Sequence, residues 1–135
     1  MAKKKLYKYY QPNKKDLKDK FGDCTVRALS KVLDKTWLET FDMIYPFMRE
    51  EQCVLSGFTL DIYKKVYKNF GLEYHGIKIT KGSTRPTVES FTKAHPKGAY
   101  ILRVANHHVA CKDGFYYDTW DSGEKCLYGY FELVE

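Results

Sequence analysis

The chain lacks the features that mark membrane, secreted and zinc-binding proteins. None of its apolar runs approaches the roughly 18 residues of a membrane-spanning helix. The basic start MAKKKLYKYYQPNKK is followed by no apolar segment, so we predict no secretory signal. The four cysteines form no Cys-x-x-Cys pair, and their spacing with the histidines matches no common zinc module. We therefore expect a cytoplasmic protein with reduced thiols, no membrane association, no metal site and no organic cofactor.

Arginine is also scarce, although the formal net charge is +6. Only four arginines occur in the 135 residues, whereas eight lysines lie within the first twenty. Arginine is the side chain that reads bases and phosphates bidentately, so nucleic-acid binding is the weakest of the functions considered. We interpret residues 1–21 as a basic, partly extended arm of a single domain spanning 1–135. The oligomeric state is left open.

Hydrophobic periodicity changes from a helical to a strand pattern along the chain. The spacing predicts a helix beginning at 23 and helices over about 36–48, 59–70 and 86–94. It predicts strands over about 72–79, 99–104, 107–112, 115–119 and 128–133. This order is typical of an α+β fold in which N-terminal helices pack on a C-terminal antiparallel β-sheet.

Cys24 falls in the first turn of the predicted first helix, after Gly22 and the candidate N-cap Asp23. Free backbone N–H groups and the helix dipole favour a thiolate there, and the same N–H groups can hold an oxyanion. Asp23 works against a second negative charge, so a nucleophilic Cys24 needs a cation, usually a histidine. Arg27, one turn further on, is expected either to pair with Asp23 or to contact substrate. The structural alternative is that Cys24 is a small buried apolar residue.

Two adjacent histidines, His107 and His108, are the candidate bases. If Asp113-Gly114 is a two-residue hairpin loop, the flanking strands pair in a defined register and their side chains sort onto two faces. One face then holds His107 with the carboxylate of Asp118 and the ring of Trp120, and the other holds His108 with Lys112. We therefore favour His107 as base and Asp118 as its orienting acid, with Asp121 as a substitute. A loop one residue longer would select His108, and a purely structural histidine is the remaining alternative.

These segments resemble a known family. The run Gly-Asp-Cys-Thr-Val-Arg-Ala-Leu at 22–29, with His-x-Val-Ala-x-x-Asp-Gly from 107 and Tyr-Asp-Thr-Trp-Asp-Ser from 117, is similar to small papain-like cysteine peptidase domains. The resemblance is to bacteriocin-processing (C39-like) peptidases and compact phage and bacterial relatives, over about residues 11–133. It implies a papain-like fold and the order Cys24, His107, Asp118 in a catalytic triad.

The resemblance also implies an oxyanion donor, usually a glutamine six residues before the cysteine. That position is Lys18 here, and the nearest upstream amides are Asn13, which we prefer, and Gln11. As loop residues, both are equally suited to capping a turn. Trp120 is expected at the core or at the rim of the substrate cleft. The leading hypothesis is hydrolysis of a peptide or amide bond in a peptide or protein substrate. The alternative is a catalytically weak or inactive domain of this kind that binds a protein partner.

Overall fold

Four α-helices occupy mainly the N-terminal half of the computed structural model, which describes residues 5–16 and 18–134. Three of them begin after a threonine whose hydroxyl accepts a backbone N–H of the first turn, namely Thr36, Thr59 and Thr87. The helices are α1 (Cys24–Leu33), α2 (Trp37–Glu51), α3 (Leu60–Lys68) and α4 (Val88–Ala94), with a 3₁₀ turn at Leu55–Gly57. The helix starts therefore follow the sequence closely, whereas α2 continues through Pro46 and past its predicted end.

A six-stranded sheet accompanies these helices in the part of the chain that the structure describes. Its strands are β1 (Tyr7–Tyr9), β2 (Leu72–Gly76), β3 (Ala99–Val104), β4 (His107–Lys112), β5 (Phe115–Asp118) and β6 (Gly129–Leu133). Their order across the sheet is β1-β5-β4-β3-β6-β2. The mixed α+β fold is confirmed.

The sheet differs from the prediction at one edge, where it is not antiparallel. Within the basic arm, β1 pairs with β5 in parallel, with Tyr7 opposite Tyr116 and Tyr9 opposite Asp118. The arm is thus tied to the sheet through a short strand that its lysine-rich composition concealed. Residues 1–4 and 17 of the predicted arm, and residue 135 of the predicted domain, lie outside the described residues.

The hairpin between β4 and β5 has the predicted two-residue loop. Lys112 pairs with Phe115 and Cys111 with Tyr116, so Asp113 and Gly114 form the turn. Both turn residues have positive φ, 50° and 87°, as a type I′ turn requires. This register brings the start of β4 and the end of β5 to the same end of the hairpin.

The sheet separates two apolar clusters. On one of its faces, α1 packs against β4 and β5. One cluster joins α1, α2 and α3 to the face of β3, β4 and β6 that carries Ile101, Ala110 and Phe131. The other packs α4 against the opposite face, which carries Leu102, Val109 and Cys111. Within the described ranges, the structure contains no helix long and apolar enough to cross a membrane.

Candidate active site

Cys24 is the first residue of α1 and is partly exposed to a cleft. Gly22, two residues earlier, has a φ of +62°, a left-handed conformation that glycine adopts without strain. Asp23 occupies the N-cap position, but its side chain makes no capping hydrogen bond. The first-turn N–H groups of α1 have no intrahelical acceptor, and they direct the positive end of the helix dipole at the Cys24 thiol.

The Asp23 carboxylate is held by two other side chains. Arg27 forms a buried ion pair with Oδ1, and Trp37 Nε1 donates to Oδ2 at 2.7 Å. The Arg27 guanidinium also lies 3.6 Å from Asp118 Oδ1. The Asp23 carboxylate, which by itself would disfavour a thiolate at Cys24, is therefore neutralised by Arg27. The Arg27 cation also favours the Cys24 anion directly.

His107 and Asp118 are joined by a short hydrogen bond. His107 Nε2 lies 2.7 Å from Asp118 Oδ2, which also accepts from Ser122 Oγ at 2.8 Å. The other carboxylate oxygen accepts the Thr119 N–H at 2.8 Å. Because Nε2 is used by Asp118, the remaining ring nitrogen, Nδ1, is the one available to Cys24.

The N-terminal arm forms hydrogen bonds with the backbone of Asp118. The Asp118 carbonyl accepts the Tyr10 N–H at 2.9 Å and the Tyr7 hydroxyl at 3.2 Å. Together with its buried side chain, these bonds fix Asp118 from both sides. The strand β1 thus supports the orientation of His107.

The pKa values of Cys24 and His107 are shifted in opposite directions, and each shift favours the charged form of its own group. Burial by itself raises the pKa of the Cys24 thiol, but its interactions with neighbouring groups together outweigh burial and lower the pKa, and those with His107 are the largest of them. The His108 backbone N–H and the Arg27 cation lower it further. Burial disfavours the His107 imidazolium, yet hydrogen bonds to Asp118 and Cys24 raise its pKa to about 9. These shifts favour a thiolate–imidazolium pair at neutral pH.

The alternative base and acid have different partners. His108 is buried, and its Nδ1 lies 2.8 Å from the hydroxyl of the buried Tyr67. Burial first, and then the nearby cations, lower the pKa of His108 to about 3, so it stays neutral. Asp121 Oδ1 accepts the Tyr116 hydroxyl and the Gly123 N–H. The structure therefore brings His107 and Asp118 to Cys24, and it places His108 and Asp121 in other networks.

Trp120 covers the His107 ring at the rim of the cleft. The two ring centroids are 5.4 Å apart and the planes differ by 30°. The indole is 44% exposed, so its other side is open to solvent or substrate. This stacking shields one side of the imidazole beside the His107–Asp118 hydrogen bond.

Asn13 and Gln11, the expected oxyanion donors, do not line the cleft at Cys24. Asn13 Oδ1 accepts the Lys15 N–H at 3.0 Å, which is a local turn contact. Gln11 accepts the Asn13 N–H and donates from Nε2 to Asp19 Oδ1 at 2.8 Å. The structure thus corrects this expectation, because both amides organise the loop before α1.

The cleft has two parts that meet at Cys24. A larger cavity of about 570 Å³ extends toward Leu55, Phe58 and Tyr63, and a smaller one of about 440 Å³ extends toward Thr119 and Trp120. Gly22, Cys24, Asn106 and His107 line both parts. An extended chain can therefore cross the thiol with residues on either side.

Arg27, Trp37 and Ser122 are the supporting residues that the sequence did not assign fully. Arg27 had a usable signal, since it stands four residues after Asp23 on one helix. Ser122 contacts Asp118 from the segment that follows β5, four residues further along the chain. Trp37 reaches the site only through the packing of α2 on α1. Across the described residues, no group of three or more histidine, cysteine or acidic side chains could hold a metal ion.

No protein-family model, curated protein or solved structure matches this chain.

Proposed function

We propose that the protein is a cysteine-dependent hydrolase that cleaves a peptide or other amide bond. The observation that carries the proposal is the set formed by Cys24 at a helix N-terminus, His107 beside it in the same cleft, and Asp118 at 2.7 Å from His107. They supply a nucleophile, a base and an acid that orients the base, which are the three groups that acyl transfer needs. The lowered pKa of Cys24 supplies the reactive thiolate.

The reaction is an acyl transfer to water in two steps. The Cys24 thiolate attacks the carbonyl carbon, and the C–N bond breaks as His107 gives its proton to the leaving amine. The resulting thioester is then hydrolysed. Neutral His107 removes a proton from water, and the water oxygen attacks the thioester carbon and displaces the Cys24 sulfur. Backbone N–H groups in the first turn of α1 stabilise the oxyanion in both steps. Asp118 keeps the His107 proton on Nε2 when the ring is neutral.

We interpret the fold as a compact papain-like one. A cysteine opens a helix, a histidine begins a strand, and an acid ends the next strand, in the order implied by the sequence resemblance. The helices pack on the sheet as that resemblance implies, and the cleft lies between them. The parallel strand β1 is an addition from the N-terminal arm.

A protein-binding module is the second candidate. It is favoured by the position of Asn13 and Gln11, since neither provides a side-chain donor in the cleft. Loss of one oxyanion donor slows such chemistry by about 10²–10³-fold. A cleft of this shape would then hold a peptide segment without cleaving it.

The test is cleavage of a mixed peptide library, read by mass spectrometry, with wild-type protein and Cys24→Ala. Cys53→Ala is the matched control, because Cys53 is a free, partly buried thiol that does not line the cleft. We expect cleavage by wild type and Cys53→Ala and none by Cys24→Ala. Equal product from Cys24→Ala would overturn the assignment. Peptide retention by Cys24→Ala without any wild-type cleavage would favour the binding module.

A further inference from the structure

The larger cavity has a one-sided charge. Among the described residues that line it, none is acidic, and Arg103 adds a guanidinium to the cation formed by His107. The rest of the lining mixes apolar and aromatic side chains, such as Leu55, Phe58 and Tyr63, with uncharged polar groups. Such a lining suits a ligand that combines an apolar part with a negative charge.

Arg103 is held in place without a carboxylate partner. It lies on β3, directly opposite His108 on β4, so the two side chains share one face of the sheet. Its guanidinium approaches the Tyr74 hydroxyl at 3.5 Å and lies 5.6 Å from the centroid of the Tyr128 ring. Within residues 5–16 and 18–134, no acidic side chain forms an ion pair with Arg103.

Glycine on the next strand makes room for this arrangement. Gly129 pairs with Arg103 across β3 and β6, and a Cβ there would meet the Tyr74 hydroxyl at 2.1 Å. A side chain at 129 would therefore displace Tyr74, which contacts the guanidinium. The backbone at this point accommodates the arginine and its neutral partners.

His108 offers a second hydrogen-bond donor beside Arg103. The buried Tyr67 hydroxyl needs an acceptor for its proton, and Nδ1 of His108 lies 2.8 Å away. We therefore assign the His108 proton to Nε2, because a neutral imidazole carries only one. His108 lines the same cavity, so a neutral donor stands next to the unpaired cation.

We propose that the larger cavity binds a carboxylate side chain of the substrate peptide, with Arg103 as its ion-pair partner and His108 Nε2–H as a hydrogen-bond donor. This inference rests on the proposed function and names its substrate class: a peptide with glutamate or aspartate near the scissile bond. The smaller cavity does not share this character. There Arg27 is already paired with Asp23, and the acidic Asp19 lines the wall.

Arg85 provides a matched control for Arg103. It also lies over the Tyr128 ring, at 4.9 Å, but it does not line the cavity and it donates to the Leu127 carbonyl. Loss of either arginine removes one positive charge and one contact with the same ring. Only loss of Arg103 removes the proposed anion partner.

The test measures peptide retention by the Cys24→Ala protein, in which cleavage cannot contribute. The probes are hexapeptide libraries with glutamate, glutamine or lysine fixed at one position at a time, and bound peptide is measured by mass spectrometry. We expect about tenfold preference for glutamate at one position, as a hydrogen-bonded ion pair supplies. Arg103→Gln should reduce this ratio to about one, Arg85→Gln should keep it, and Arg103→Glu should favour lysine over glutamine.

The outcomes separate this inference from the hydrolase proposal. A glutamate preference that is absent in Cys24→Ala, or that survives Arg103→Gln in folded protein, would overturn the carboxylate pocket even if the wild type cleaves peptides. A preference that depends on Arg103 would support the pocket even if the wild type cleaves nothing. Circular dichroism of each variant shows whether it is folded.

Discussion

Replacing Asp118 by asparagine should invert the hydrogen bonding of His107. The Thr119 N–H at 2.8 Å from Asp118 Oδ1 and Arg27 at 3.6 Å can only donate, whereas the Ser122 hydroxyl beside Oδ2 can also accept. The amide oxygen of an asparagine would therefore stay at the Oδ1 position. Its NH₂ group would then occupy the Oδ2 position, 2.7 Å from His107 Nε2. Two donors cannot bond each other, so neutral His107 would move its proton to Nδ1, the nitrogen that faces Cys24.

The size of the effect follows from the bond that is lost. A hydrogen bond to a charged group contributes about 1.5–3 kcal/mol, and about 1.4 kcal/mol corresponds to one pKa unit. The pKa of His107, about 9 in the wild type, should therefore fall to roughly 7–8 in Asp118→Asn. The wrong tautomer should also slow amide hydrolysis by roughly a thousandfold or more.

The assay is an NMR titration of the His107 ring in wild type and Asp118→Asn. Asp121→Asn is the control, because that neighbouring carboxylate bonds Tyr116 and not His107. The reasoning would be refuted if His107 still titrated near pH 9 in Asp118→Asn. An equal shift in Asp121→Asn would also refute it, since general charge loss would then explain the result.

Three further variants test the groups around the triad. His108→Gln should remove an acid-dependent loss of stability: burial lowers the folded pKa to about 3 from 6.5, so the unfolded chain binds the proton first. Wild type should therefore lose about 1.4 kcal/mol per pH unit from this group between pH 6.5 and about 3, and urea unfolding across that range should show a shallower slope in the variant. Trp120→Ala should lower the pKa of His107 by about 0.4–0.7 unit in the same NMR titration, because a cation over an aromatic face gains about 0.5–1 kcal/mol. Trp120→Phe should keep most of the wild-type pKa, and an unchanged titration in Trp120→Ala would contradict this reasoning. Arg27→Gln should destabilise the fold by about 3–5 kcal/mol in urea unfolding, because the buried Asp23 carboxylate loses its cation. Adding Asp23→Asn to this variant should restore much of the lost stability. If it does not, the unpaired charge is not the cause.

The sequence was most informative where a local pattern dictates the backbone. Asp113-Gly114 sets a two-residue loop, and that loop fixes the register that separates His107 from His108. Threonine caps set the starts of three helices for the same reason: the donor and acceptor are only a few residues apart.

Contacts between distant segments could not be predicted in this way. The arm strand β1 was concealed because lysines dominate its surroundings and its partner β5 is more than a hundred residues away. Trp37 reaches Asp23 through the packing of α2 on α1, which no spacing encodes. Asn13 was chosen for its chemistry alone, whereas its side chain satisfies a turn beside it.

The rate of iodoacetamide alkylation of each cysteine against pH tests the thiolate–imidazolium pair most directly. The exposed Cys126 is the internal comparison, and the buried Cys111, whose pKa burial raises to about 11, should stay unreactive. In wild type, Cys24 should react well below the ordinary thiol pKa of about 8.5, and His107→Ala should abolish that early reactivity while leaving Cys126 unchanged. A Cys24 profile that matches Cys126, or that is unaffected by His107→Ala, would contradict the proposed active site.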